Sequence, residues 1–303
     1  MGLYLQFRRK AKQILIQPRV NSAVRSFLSA PLLAGVLPPN QVARIPVIGK
    51  VPVEMPDGSH FVMETDGDDA IASLLAWQRQ LVRYEPDTTQ LFLKLVANSR
   101  TFFDIGANTG LYALAAAAND PVRQVYAFEP FPAIYAYLVR NIAVNGFANL
   151  HAFPFAVSDF VGSTPFYIPS ASAVFPFSAS TAAGLTPLVK EIQVAATTLD
   201  RFVVEEGVER VDLMKVDTET TEPQVLAGAA AVLGNHRPLV ICEVLPFGKE
   251  QDLHDVLDPL DYRYFWIKGE QLIPNAVIKG DPTMVHMNYL MAPAERVQEL
   301  PGN

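Results

Sequence analysis

A single cysteine, Cys242, in 303 residues excludes an internal disulfide and fits a reducing compartment. Its neighbours, Leu239-Val-Ile-Cys-Glu-Val, read as a buried strand, so the thiol is expected in core packing rather than as a nucleophile. Long apolar runs are also missing. None reaches the ~18 residues of a membrane span, and the stretch from Phe27 to Leu37 is broken by Pro31. The charges at Arg8, Arg9, Lys10 and Lys12 are not followed by a clean apolar core, so no signal peptide is predicted and a cytoplasmic location is expected. The five histidines (60, 151, 236, 254 and 286) form no H-x-H or H-x-x-x-H spacing, which removes the common histidine metal motifs. Acid is absent from the first 53 residues, which hold eight Lys and Arg; everything after them carries 16 basic and 31 acidic residues. An acidic body argues against a nucleic-acid backbone as substrate. The basic arm suits an anionic membrane surface, such as the inner face of a membrane, or an acidic partner; a solvated helix packed on the body is the plainer reading.

What is present is half hydrophobic, ample for one large or two modest domains. The most informative stretch is Asp104-Ile-Gly-Ala-Asn-Thr-Gly110, which follows the apolar Thr101-Phe-Phe and precedes an Ala-rich helical run from Leu111 to Ala118. Strand, glycine turn and helix make the first βα unit of an open α/β sheet, whose ligands bind outside the carboxyl ends of its strands. A second strand, Gln124-Val-Tyr-Ala-Phe, ends in Glu129, where an ionised carboxylate suits a ribose diol because it only accepts hydrogen bonds. A dinucleotide site wants G-x-G-x-x-G with amides aimed at a pyrophosphate. Here Asn108 stands at the second glycine, and an acid beside the loop would repel phosphates. The loop suits S-adenosylmethionine (AdoMet), which carries a sulfonium and an amino group and no phosphate.

From residue 101 strand and helix alternate, the signature of a parallel sheet with crossovers. Strands are expected near 101–105, 124–129, 150–157, 211–217 and 239–245, with helices over 110–119, 132–145, 222–234 and 249–258. Two late strands, Tyr262 to Lys268 and Met284 to Ala292, close the sheet, the last plausibly antiparallel. Before residue 85 lies an N-terminal extension (1–84): basic helices to about residue 40, a hairpin around Asp57-Gly58, and a helical stretch from Asp69 to Tyr84; a second helical stretch, from Thr88 to Asn98, follows it. Residues 85–303 form the catalytic domain, with an insertion at about 160–199. That insertion is rich in Ser, Ala and Pro with interleaved aromatics, longer than an ordinary connection, and a natural cover for the substrate.

A second constellation follows the strand Val211-Asp-Leu-Met-Lys-Val-Asp217. Asp217 sits at its tip, with Glu219 and Glu222 next, and these three are the candidate catalytic acids. Such an acid could take the proton of a substrate hydroxyl as general base. Glu222 also falls in the first turn of a helix, where the dipole favours it, and Thr221 with Gln224 and Pro223 makes a capping box. Lys215 either neutralises these acids or reaches solvent, and Glu243 ends the next strand at the same edge. The carboxylates would suffice for a divalent oxygen-ligand site, but no histidine lies nearby and no resident metal is expected.

Phe103-Asp-Ile-Gly-Ala-Asn-Thr-Gly110, Phe128-Glu-Pro130, Asn145, Ala156-Val-Ser-Asp159, Thr198-Leu-Asp200 and Lys215-Val-Asp-Thr-Glu219, with Glu222 and Val225-Leu-x-Gly228, resemble in order and spacing the FkbM-type AdoMet-dependent methyltransferases. The resemblance covers about residues 84–245. It implies a class I methyltransferase (Rossmann-like), doubly wound α/β fold with a mostly parallel seven-stranded sheet and an antiparallel last strand. It also implies O-methylation of a sugar, glycan or small natural product. By position, Asp104, Gly106, Asn108 and Gly110 would line the methionine part of AdoMet, Glu129 would hold the ribose, and Ala156, Val157 and Asp159 would flank the adenine. One departure stands out: the family block carries glycine where this chain has Thr220, and a β-branched residue resists positive φ. The rival readings are an N-methyltransferase and a catalytically weak AdoMet-binding partner held through its basic arm.

Overall fold

The computed structural model describes residues 13–28, 45–169, 188–246 and 248–302. The charges at Arg8, Arg9, Lys10 and Lys12 lie outside the described residues. Helix α1 (Pro18–Leu28) docks on the extension through Asn21, which is buried, donates to the Pro46 carbonyl at 2.7 Å and accepts the Ile48 amide at 3.0 Å. The expected hairpin forms as β1 (Ile48–Glu54) and β2 (His60–Asp66), in register Val53 to Phe61. Gly58, at φ +86°, supplies the left-handed turn residue, and Asp57 accepts the Ser59 amide at 3.0 Å. Helix α2 (Ala70–Gln78) is capped by Asp69, which accepts the Ala72 amide at 2.9 Å. A 3₁₀ turn at Leu81–Arg83 separates it from α3 (Pro86–Val96).

The main sheet begins with β3 (Thr101–Ile105), followed by α4 (Leu111–Asn119), β4 (Gln124–Phe128), α5 (Pro132–Asn145) and β5 (Leu150–Phe153). The expected strand over 150–157 breaks at Pro154, which has no N–H for a ladder. Beyond it β6 (Ala156–Val157) leaves the sheet and pairs with β8 (Leu188–Thr197), itself antiparallel to β7 (Gly162–Pro169). The two arms of the insertion therefore form a second, three-stranded sheet; its centre, with Phe175 and Phe177, lies outside the described residues.

A short helix absent from the expectation, α6 (Leu199–Glu205), starts at Thr198, whose hydroxyl accepts the Arg201 amide at 3.2 Å. Then come β9 (Leu213–Val216), α7 (Glu222–Ala227), α8 (Ala230–Asn235), β10 (Leu239–Glu243), α9 (Glu250–Leu257), β11 (Tyr262–Lys268), β12 (Gln271–Asn275) and β13 (Asn288–Pro293). The helix expected over 222–234 is two, because α7 ends where Gly228 meets Ser158: a Cβ on Gly228 would lie 1.9 Å from the Ser158 carbonyl oxygen. Asp200 then starts α8 afresh by accepting the amides of Ala231 and Val232, both at 2.9 Å.

The main sheet runs β12-β11-β13-β10-β9-β3-β4-β5. Strands β10, β9, β3, β4 and β5 are parallel, and β13 enters antiparallel between β10 and β11. The fold is thus the expected doubly wound class I α/β sheet with an antiparallel final strand, but it has eight strands rather than seven. The extra one, β12, is a short edge strand interrupted by Pro274, which blurs its alternation in the sequence. Alternate residues serve opposite faces: Phe102 packs with Leu114 and Val125, and Phe103 with Phe128, Phe202 and Met214. Val51, Val53, Phe61 and Met63 of the hairpin belong to the first of these cores. The buried Arg123 donates to the carbonyls of Val96, Ser99 and Ala116 at 2.6–2.8 Å, satisfying the ends of α3 and α4.

Candidate functional site

A cavity of about 260 Å³ opens at the carboxyl ends of β3, β4, β9 and β10. One wall is the glycine loop. The amides of Gly106 and Ala107 both donate to the Phe128 carbonyl, at 3.0 and 2.9 Å, and the Asn108 amide donates to Glu129 Oε2 at 3.0 Å. The Phe131 amide takes the other oxygen, Oε1, at 2.8 Å. Glu129 is buried and held from both sides, with a lone-pair position left on each oxygen for a ligand. These loop amides are spent on the protein, so a pyrophosphate would meet a carboxylate instead of donors.

The glycines answer to the backbone first. Gly106 has φ +81°, and a Cβ there would sit 1.9 Å from the Asp217 carbonyl oxygen, so it is the point where the β3 and β9 loops touch. Gly110, at φ +97°, precedes α4 with Leu138 packed against it. Asn108 takes φ +52°, a conformation Asn tolerates, and its Oδ1 accepts the Thr109 amide at 2.8 Å. Asp104 is buried at the cavity wall with Oδ2 accepting the Ala113 amide at 2.9 Å. Burial pushes its carboxyl up to about 7 against the pull of Lys215, and burial likewise brings Glu129 to about 7 despite its two amide bonds.

Ala156 and Val157 line the far end of the cavity beside Phe155 and Phe166. Phe166 comes from β7, so the described part of the insertion does reach the cavity, and it stacks on Phe131 at 5.9 Å. Asp159 does not belong with this group. It is exposed, absent from the cavity wall, and accepts the Ser158 hydroxyl at 3.2 Å, because the turn carries its side chain outward.

The opposite wall is acidic. Asp217 and Glu219 both line it, and Lys215, the cation among them, is buried with Nζ 2.6 Å from Asp217 Oδ2 and 4.7 Å from the Tyr112 ring centre. Burial would lower the Lys215 pKa, but the charges of Asp217, Glu85 and Asp104 outweigh it and hold the ammonium. Glu219 is pushed up to about 8 by burial and by the charges of Asp217 and Glu222. Its backbone has φ +56°, and Thr220 follows at φ +82°. The turn therefore keeps a glycine-like conformation with a threonine in it.

Glu222 departs from the catalytic expectation. It does not line the cavity; its Oε1 accepts the Thr218 amide at 2.9 Å, the Thr218 hydroxyl at 3.1 Å and the Thr220 amide at 3.2 Å. The expected capping box is also not formed: Thr221 makes no cap to the helix, and its hydroxyl donates to the Thr218 carbonyl at 3.3 Å. Glu222 does stand in the first turn of this helix as expected, and from there it clamps the positive-φ turn before it.

Two contributors, Tyr84 and Glu85, escaped the sequence reading, and Glu243, read at the same edge, joins them. Glu243 lines the cavity with Oε2 buried and without a hydrogen-bond partner among the described residues; burial and the nearby Asp217 and Glu219 push it up to about 11. Tyr84, at the end of the extension, and Glu85, at the start of the catalytic domain, also line the cavity, and the Tyr112 hydroxyl donates to Glu85 Oε2 at 3.0 Å. The legible signal was an acid directly before Pro86, at the break between two helical stretches.

The cavity fits AdoMet by its polarity. Strand order sets apolar side chains at the β5–β6 end, Glu129 at the tip of β4, and carboxylates toward β9 and β10, so a base, a diol and a cationic chain each meet a matching surface. Among the described residues, no helix is long and apolar enough to cross a membrane.

The family model described as the methyltransferase FkbM domain matches residues 104–264. Methyltransferase sdnD of Sordaria araneosa is 30% identical over 41% of this chain and 58% of its own length. The 31-O-demethyl-FK506 methyltransferase FkbM of Streptomyces tacrolimicus is 28% identical over 52% of this chain and 71% of its own. The chain thus spans less than two thirds of the first of these relatives. Among solved structures, a methyltransferase FkbM from Methylobacillus flagellatus aligns with a TM-score of 0.41 at 12% identity, over 74% of this chain and 55% of that one. A SAM-dependent O-methyltransferase from Thermotoga maritima aligns at 0.40 and 12%, over 86% and 94%. With more than half of its residues inside the matched domain, the chain belongs to the FkbM methyltransferase family, whose methyl donor is S-adenosylmethionine.

Proposed function

We propose that the protein transfers the methyl group of AdoMet to a hydroxyl of a sugar, glycan or small natural-product acceptor. The observation that carries this reading is one cavity with Glu129 fixed on one wall and Glu219 on the other, the second raised to about 8. When bound, AdoMet supplies a methyl group on a sulfonium, ready for displacement. The chain's work is to bind, align and deprotonate. Glu129 accepts hydrogen bonds from the ribose diol; Asp104, Gly106, Asn108 and Gly110 line the methionine part; Ala156 and Val157 flank the adenine.

Glu219 is the base in this reading. A carboxylate titrating near 8 is a stronger base than an ordinary glutamate and is still ionised in part at neutral pH. It takes the hydroxyl proton as the oxygen acquires the methyl group. Asp217, held by Lys215, fixes the wall beside it, and Glu222 holds the turn that presents Glu219. Alignment of the acceptor oxygen contributes the larger share of the rate.

The acidic body supports a small-molecule or glycan acceptor over nucleic acid, and the basic arm supports contact with an anionic surface from the cytoplasmic side. Titration calorimetry with S-adenosylhomocysteine and NAD tests the donor: binding of NAD without the former ends the reading. Incubation with AdoMet and a panel of reduced sugars, polyols, amines and lipid-linked glycans, read by mass for methylated products, tests the acceptor. A product on amines alone would move the reading to N-methylation, and donor binding without any product would leave a cofactor-binding protein.

A further inference from the structure

Glu85 stands outside the matched residues 104–264, and although its carbonyl accepts the Thr89 amide at 2.8 Å, its side chain does not cap its own helix. An acid at an N-cap ordinarily accepts an amide of the first turn. Glu85, the residue before α3, makes no such bond and adopts a left-handed backbone, φ +39° and ψ +65°. A non-glycine residue in that region is strained, and the strain turns the side chain away from the helix to the cavity wall. There its carboxylate receives the hydroxyls of Tyr112, at 3.0 Å, and Tyr84. The Lys215 ammonium, between Asp217 and the Tyr112 ring, is the cation of this end of the cavity. Glu243, 8% exposed, adds an oxygen on the same cavity wall with no hydrogen-bond partner among the described residues. A buried acceptor left empty by the protein is a place for a ligand's donor. Among the described residues Glu85 and Asp217 face the Lys215 ammonium here, two carboxylates to one cation, so that donor is best a cation.

Resting on the AdoMet reading above, we propose that Glu85 is a donor-binding residue that receives the α-ammonium of the aminocarboxyl chain. The orientation follows from the two ends of the cavity. The base belongs with Phe155, Val157 and Phe166, the diol with Glu129, and the chain beyond the sulfur runs to the carboxylate end. Glu85, the first residue of the catalytic domain, thereby completes the cofactor site beside Tyr84, the last residue of the extension.

The test compares two ligands on the full chain: S-adenosylhomocysteine, which carries the ammonium, and 5′-methylthioadenosine, which lacks the aminocarboxyl chain. Glu85→Gln should weaken S-adenosylhomocysteine by about 10- to 100-fold, as expected for loss of a charged hydrogen bond, and leave methylthioadenosine within about threefold. Glu85→Asp, which keeps the charge but withdraws it, should fall between. Equal weakening of both ligands, or no change in either, overturns the assignment. Should the unaltered protein bind neither ligand, the AdoMet reading itself fails and takes this one with it. Thermal unfolding of each variant separates loss of fold from loss of contact.

Discussion

The two walls of the cavity are built on opposite terms. On the β3–β4 side every sharp backbone turn is given to glycine or asparagine, and the acids are anchored by amides: Asp104 by Ala113, Glu129 by Asn108 and Phe131. On the β9–β10 side two ordinary residues in succession, Glu219 and Thr220, sit at positive φ, and Glu243 keeps an oxygen unsatisfied. The first wall places its sharp turns on residues that tolerate them and ties its acids to amides, even though burial raises Asp104 and Glu129 to about 7. The second stores conformational and electrostatic energy, which marks it as the wall where chemistry is arranged.

The comparison breaks most sharply at Gly106, where the two walls touch. Gly106→Ala adds a Cβ 1.9 Å from the Asp217 carbonyl oxygen at φ +81°. It should cost about 3–5 kcal/mol, the sum of a left-handed backbone penalty and overpacking against main chain. Chemical denaturation measures it, and a loss under 1 kcal/mol would mean that the walls do not meet as described.

Next come the acids of the strained wall. Asp217→Asn and Glu219→Gln should each slow single-turnover methylation by about 10²–10⁴-fold, with donor affinity little changed. Rate should rise with pH up to about 8 and level off above it, since the basic form of Glu219 appears as pH passes its raised value. Glu219→Gln should erase that inflection. The sign for stability is the reverse. A folded-state pKa above the ordinary 4.5 means that the folded chain holds the proton more tightly, so this group's contribution is present below pH 4.5 and lost as pH climbs to about 8.

The first wall should respond in binding alone. Glu129→Ala leaves the ribose hydroxyls and two backbone amides short of an acceptor and should weaken the donor by about 1–3 kcal/mol, read by calorimetry. The smallest effect sharpens the contrast: Thr220→Gly releases a β-branched residue from φ +82° and should raise stability by about 1 kcal/mol, net of the entropy glycine adds to the unfolded chain. If it destabilises the protein, the turn holds no strain of that kind.

The first wall was also the readable one. A strand, Gly106, Gly110 and a second strand ending in Glu129 encode local geometry by residue type, so the sequence announces it. The strained wall is harder because its residues violate their own preferences. Thr220 argues against the φ it adopts, and Glu222 reads as a helix-dipole acid or a catalytic one, whereas it clamps the Thr218–Thr220 turn. Glu85 joins the site only through tertiary placement, since no spacing links residue 85 to residue 215, whereas Glu243 was legible as the tip of the next strand. The fold was legible wherever period and punctuation agreed, and was missed where one proline or glycine decided: β5 cut at Pro154, α7 at Gly228 and β12 masked by Pro274.

The hairpin carries one more consequence. Pro52 stands opposite Val62, and Val62 turns its own amide and carbonyl outward to the Asn145 side chain, at 2.7 Å each, while the Glu64 amide finds Asn141 at 2.7 Å. Two side-chain amides on α5 thus stand in for the missing third strand. On the other side the Glu54 amide donates to the Arg79 carbonyl at 2.8 Å. A two-stranded ribbon would otherwise present open backbone to any extended chain that met it. Here the β2 margin is sealed by α5 and the β1 margin is tied at its ends, so Asn145, one of the residues that carried the family resemblance, protects the β2 edge against edge-to-edge self-association.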